Sequence, residues 1–105
     1  MRSIDIHAHY TPQAFVHAVR QGREWHGLPA STSGGAPRNF WTPEQRLADM
    51  DSLGVDIHVV STAAQFYCYD IDPAVATLVH RDSNDEVHQM TMDHPDRFAG
   101  LCALP

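Results

Sequence analysis

Two histidines one residue apart, His7 and His9, stand near the start of the chain. If residues 3–9 form a β-strand, alternation sends both imidazoles out of one face, roughly 7 Å apart at their Cα atoms. Imidazoles so placed can converge on one ion, each with a nitrogen ~2.0–2.1 Å from it. The chemistry on offer is that of a bound divalent metal, which polarises substrate oxygens and acidifies a water. Asp5 falls on the same face one step deeper. It could orient a ligand through a hydrogen bond or serve as a buried structural acid. Eight histidines are many for 105 residues, and imidazole is the commonest transition-metal ligand. The other six form no second cluster. His58 lies within a predicted strand, and His80 and His88 lie on a long helix, facing solvent. His17, His26 and His94 belong to a helix, a loop and a turn, and structural roles are expected for all six.

The elements that must position the pair follow from pattern. Along residues 3–9, Ile4, Ile6 and Ala8 share the face opposite the histidines and are free to pack on helices. Thr11-Pro12 reads as a helix start, with Thr11 as N-cap, and Gly22 as its end. Phe15, Ala18 and Val19 supply the apolar stripe. Residues 23–41 read as a long loop rich in Ser, Gly and Pro, of a length usually functional or disordered. Thr42-Pro43-Glu44-Gln45 is a capping box that opens a second helix, with Leu47, Met50 and Leu53 as its stripe and Gly54 as C-cap. Residues 55–62 form a strand apolar enough for burial on both faces. Asp72-Pro73 starts a third helix that runs to about residue 93, with Val75, Leu78, Val79, Val87 and Met90 inward. Residues 99–104 form a third strand. Strands alternating with helices imply parallel βαβ units, hence an α/β fold.

Composition narrows the partners. The formal charge is −6 with no basic run, which argues against nucleic acid or an anionic membrane. No apolar run approaches the ~18 residues of a membrane span. Asp5, His7 and His9 interrupt the N-terminal segment, so a secretory signal is not expected. Cys68 and Cys102 are read as reduced thiols in a cytoplasmic protein.

The string Ile4-Asp5-Ile6-His7-Ala8-His9-Tyr10-Thr11-Pro12 resembles the opening signature of the amidohydrolase superfamily. Trp41-Thr42-Pro43-Glu44-Gln45-Arg46-Leu47-Ala48-Asp49-Met50-Asp51, followed by Leu53-Gly54-Val55-Asp56, resembles a second stretch typical of its aminocarboxymuconate-semialdehyde decarboxylase-like branch. Ser61-Thr62, Asn84-Asp85 and the closing segment from Pro95-Asp96-Arg97-Phe98 to Pro105 fit as well. The match is weakest between residues 20 and 37.

The resemblance implies a (β/α)8 TIM barrel that binds one divalent ion, usually zinc, with His7 and His9 as first-strand ligands. A further histidine and an aspartate come from later strands and have no counterpart here, so no catalytic residue is assigned in this chain. The implied reaction is loss of CO2 from an unsaturated or aromatic carboxylate, a small-molecule partner. Other branches hydrolyse amides, esters or lactones, and a non-catalytic α/β module is the alternative outside catalysis. Such a barrel needs about 250 residues. Residues 1–105 are therefore expected to form its N-terminal part, a partial barrel of about three strands, inactive and poorly stable alone. Arg38 stands close to where relatives carry a substrate-binding arginine. Trp41 either lines the pocket or anchors the loop. Phe66 and Tyr67 follow the second strand at the rim and are candidates to face substrate. Arg46 reads as structural. Relatives often form homodimers, but no interface is legible in these residues.

Overall fold

A computed structural model describes residues 2–29 and 37–105. The Ser/Gly-rich part of the expected loop, residues 30–36, lies outside them. The described elements run β1 (Ile4–Tyr10), α1 (Gln13–Arg20), a 3-10 turn (Pro37–Phe40), α2 (Pro43–Leu53), β2 (Ile57–Thr62), a second 3-10 turn (Ala64–Phe66), α3 (Pro73–Asp93) and β3 (Phe98–Leu101). The strands lie in the order β1-β2-β3 and both pairings are parallel. This is the expected α/β arrangement of three parallel strands with helices. Among the described residues no helix is long and apolar enough to cross a membrane.

Local chemistry sets the helix limits. Thr42 and Gln45 form the reciprocal capping box with Pro43 in the first turn, and Gly54 ends α2 in the left-handed conformation at φ 71°. A side chain at that φ would be strained, so glycine fits. Asp72 caps α3 by accepting from Ala74 N at 2.7 Å. The start of α1 differs from expectation. Pro12 occupies the N-cap position and no side chain of its own segment caps the helix. Instead the Glu86 carboxylate, from α3, accepts from Gln13 N at 2.6 Å and Ala14 N at 3.1 Å. It also accepts from the Tyr10 hydroxyl at 2.9 Å. A carboxylate at that end answers both the unpaired amides and the helix dipole. Thr11 is buried instead, its N–H donating to Asn39 O at 2.8 Å.

One sheet face carries the helices. His58, Val60 and Thr62 of β2 are buried there, and Ala8, Tyr10, Met50, Val60, Val87, Met90 and Phe98 form a core. The other face, with Ile57, Val59 and Ser61, is only partly covered. Burial of β2 on both faces is therefore not found among the described residues, because helices cover one side alone. Strand β2 also starts two residues later than expected, and β3 stops at Leu101. A second core gathers Phe15, Trp25, Phe66, Cys68, Ala76 and Val79. Trp25 enters it from the loop, which an antiparallel bridge to Leu28 folds back on itself. On α3 the buried face is rotated from the expected stripe: Leu78 is exposed, whereas Ala76, His80 and Ser83 are buried. His80 is thus not solvent-facing; its Nε2 meets the Tyr67 carbonyl at 2.8 Å.

Gly100 lets α3 approach β3. A Cβ there would stand 2.6 Å from Val87 Cγ1 and 3.4 Å from Thr91 Cγ2. Both neighbours are β-branched and cannot swing aside freely. Gly100→Ala is expected to destabilise the protein by ~1–3 kcal/mol, the usual cost of overpacking. A thermal unfolding midpoint equal to the parent's would show that α3 can shift to make room.

Candidate metal centre

The histidine pair sits on an irregular strand. Asp5 pairs with His58 and Ala8 with Val60, so β1 spends one residue more than β2 over this stretch. Ile6 and His7 together oppose Val59, as in a β-bulge. Asp5 holds the irregularity, its Oδ1 accepting from His7 N at 2.9 Å. The bulge reverses the facing expected for the first residues. Ile4 pairs with Ile57 on the open face and is 55% exposed, Ile6 is 77% exposed, and only Ala8 of that trio is buried. Asp5 lies beside His58 instead of beneath His7, with Oδ2 and His58 Nε2 3.6 Å apart. The two histidines still converge, His7 from within the bulge and His9 from beyond it. Their Nε2 atoms are 2.9 Å apart and their rings meet edge to face with centroids at 4.7 Å.

That geometry suits a shared ion. Two nitrogens each ~2.0–2.1 Å from one metal lie roughly 3 Å apart across cis positions. The donor set is half of a four-coordinate site. Among the described residues no group of three or more His, Cys, Asp or Glu side chains could hold a metal. His9 Nδ1 is buried without a hydrogen-bond partner among the described residues.

Of the four candidates for substrate contact, Arg38 and Trp41 are brought to the pair, Tyr67 lines a separate cavity and Phe66 lines neither. A cavity of about 190 Å³ is lined by His7, His9, Arg38 and Trp41, with Arg46 and Asp49 behind them. The Arg38 guanidinium stacks 5.7 Å from the Trp41 ring and its Nη2 pairs with Asp49 Oδ1 at 3.3 Å. Phe66 is 1% exposed. It packs against Phe15 at 4.9 Å and Trp25 at 6.0 Å. A ring so enclosed cannot reach substrate, so Phe66 belongs to the core.

Arg46 has a larger part than its helix position suggested. It is buried, and its Nη2 donates to His9 O at 2.8 Å and Arg38 O at 3.1 Å. One guanidinium thus fastens β1 to the segment that carries Arg38. A signal for it was present: Arg46 stands four residues before Met50, on the buried face of α2. Asp49 was also missed; nothing in its spacing pointed to a partner eleven residues back.

His58 is buried, and burial followed by the nearby Arg46 charge pushes its pKa below the ordinary 6.5, against the pull of Asp5 and Asp49. The imidazole takes up its proton more readily once unfolded. Its contribution is therefore intact above pH 6.5 and is lost as pH falls from 6.5 through the folded value. His58→Gln is expected to flatten the decline of the unfolding midpoint between pH 7.5 and 5. An unchanged pH profile would place the sensitivity elsewhere.

An amidohydrolase family profile matches residues 4–105. The chain belongs to the amidohydrolase family. Within reach of this family sits a 2-amino-3-carboxymuconate-6-semialdehyde decarboxylase of Dictyostelium discoideum. It is 34% identical over 67 residues, covering 64% of this chain and 19% of the relative. A solved structure of 5-carboxyvanillate decarboxylase from Sphingomonas paucimobilis is similar at TM-score 0.70 and 28% identity. That likeness covers 96% of this chain and 34% of that one. The corresponding enzyme of Novosphingobium aromaticivorans, complexed with manganese and a nitrobenzoic acid, shares the fold at TM-score 0.71 and 18% identity. There the coverage is 98% of this chain and 34% of the other. The amidohydrolase chain described here thus spans about a fifth to a third of the length of these relatives.

Proposed function

We propose that this amidohydrolase is a metal-dependent carboxy-lyase acting on an unsaturated or aromatic carboxylate. In this reading residues 1–105 form the N-terminal part of its barrel domain, and His7 and His9 supply two ligands of one divalent ion. The observation that carries it is the approach of two Nε2 atoms to 2.9 Å near the C-terminal end of a parallel strand, where barrel enzymes keep their sites. Zinc is the ion we assign, since imidazole donors suit it better than they suit manganese. The free thiols Cys68 and Cys102 accord with a cytoplasmic setting.

The ion, when bound, polarises substrate oxygens as a Lewis acid. The rest falls to side chains. Arg38 can present its planar fork to a carboxylate, the pairing for which guanidinium geometry is suited. Asp49 and the Trp41 ring hold that fork at the cavity mouth. Loss of CO2 leaves an electron pair on carbon that must take up a proton, and no residue of this chain is assigned to deliver it.

The test is product analysis on the protein that carries this chain, supplied with zinc or manganese and given 5-carboxyvanillate or another hydroxylated aromatic carboxylate. Release of CO2 with one equivalent of decarboxylated product is expected. Hydrolysis of an ester or lactone without CO2 release would overturn the lyase reading.

A further inference from the structure

A second cavity, of about 390 Å³, is lined by Ser61, Thr62, Tyr67, Tyr69 and residues 101–104 and shares no lining residue with the cavity of the histidine pair. Ser61 is the ladder partner of His9, so this cavity begins one strand away, about 4.8 Å across the sheet. Its aromatic wall is a built feature. Cys68, between the two tyrosines, holds φ at 56°, in the left-handed region. For a residue with a side chain that costs about 1–3 kcal/mol and persists only where neighbours enforce it. The neighbours are visible. Phe66 is locked in the core on one side, His80 Nε2 meets the Tyr67 carbonyl at 2.8 Å, and Cys68 itself is buried. The result is a pair of rings with centroids 5.6 Å apart and planes inclined by 38°. Tyr69 is left 78% exposed.

Neither ring belongs to a core cluster of the described residues. A flat ligand has a use for them: aromatic faces gain from offset or edge contacts with a further ring, and a volume of this order accepts a single substituted ring. We propose that Tyr67 and Tyr69 form the ring-binding wall of the substrate site, which makes the substrate a benzoate-type carboxylate and disfavours open-chain ones. This rests on the carboxy-lyase reading above, in which the carboxylate end is directed to the histidine pair and Arg38.

The probes are 4-nitrobenzoate for binding, by calorimetry on the metal-loaded protein, and 4-hydroxybenzoate-type and cis,cis-muconate substrates for turnover. Tyr67→Leu and Tyr69→Leu are each expected to weaken 4-nitrobenzoate about tenfold and to raise KM for the aromatic substrate while kcat stays within about threefold. Tyr67→Phe and Tyr69→Phe keep the ring and should bind within about threefold of the parent. Tyr69 is exposed, so its variant carries the test even if Tyr67→Leu fails to fold. Unchanged affinity in Tyr69→Leu, or muconate turned over as well as the aromatic acid, overturns the wall while leaving the lyase reading intact. Absence of CO2 release from every carboxylate overturns the lyase reading, and the 4-nitrobenzoate titration still decides whether the wall binds rings. A parent protein that does not bind 4-nitrobenzoate also overturns it.

Discussion

Replacement of both His7 and His9 by alanine is expected to remove divalent metal from the protein. Bound zinc or manganese should fall from near one per chain to near zero after dialysis. Mutating a residue that merely orients a ligand costs about 10–100-fold in metal affinity. Removing two ligands should exceed the upper end of that range. The fold should survive, because His7 is exposed, His9 only half-buried, and neither belongs to a core cluster. Far-ultraviolet circular dichroism and the unfolding midpoint of the metal-free protein are therefore expected to match the parent. His9→Ala alone should weaken the site more reproducibly than His7→Ala, since the His9 main chain is fixed by Arg46. Metal retained at full occupancy by the double variant would place the centre elsewhere and remove the support for Lewis-acid chemistry at this strand.

What the sequence disclosed and what it hid divide by range. Helix limits set by local chemistry were legible: the Thr42–Gln45 capping box, Gly54 and Asp72 act within a few residues of where they stand. The parallel sheet followed from the alternation of elements, and the convergence of His7 and His9 survived because both lie at or beyond the bulge. The facing of Ile4, Asp5 and Ile6 did not. A period-two pattern assumes an unbroken ladder, and one extra residue on β1 turns everything before it over. No composition signal marks that bulge; the Asp5 carboxylate on the His7 amide could be guessed only as a local turn.

Long-range polar contacts were the other blind spot. Thr11 looked like the cap of α1, yet Glu86, more than seventy residues on, performs that task. Phe66 looked like a rim residue because it follows β2. The 3-10 turn Ala64–Phe66 rotates it inward and leaves Tyr67 and Tyr69 at the cavity instead. His80 was read as solvent-facing from its place on the long helix, yet it is buried, its Nε2 meeting the Tyr67 carbonyl while Nδ1 has no partner among the described residues. In each case the residue type was consistent with two environments, and the partner that chose between them lay far along the chain.

Arg46→Met should be the most destabilising single change at the site. The guanidinium is 4% exposed and fastens two main-chain oxygens, of His9 and Arg38, that lie 29 positions apart in sequence, the difference of 38 and 9. Methionine fills a similar volume but withdraws the charged donor from both carbonyls, and Arg38 O keeps only the longer bond from Trp41 N at 3.3 Å. A buried acceptor left without its donor costs about 1–3 kcal/mol. Part of that is returned here, because Arg46 Nε has no partner among the described residues and its desolvation is relieved. A net loss of about 2–4 kcal/mol is expected, on the order of 10–20 °C in unfolding midpoint for a domain of this size. Arg46→Lys keeps the charge but shortens the reach to the two oxygens that Nη2 serves, so it should recover only part of the loss. Two further readouts separate fastening from simple packing. Removing the cation relieves one of the influences that depress His58, so the pH step in stability should move upward toward 6.5. The Arg46→Met variant should also hold metal more weakly than Gly100→Ala at matched stability, because only the former frees the main chain of His9. Equal metal affinity in the two, with the pH step unmoved, would reduce Arg46 to a filler of space.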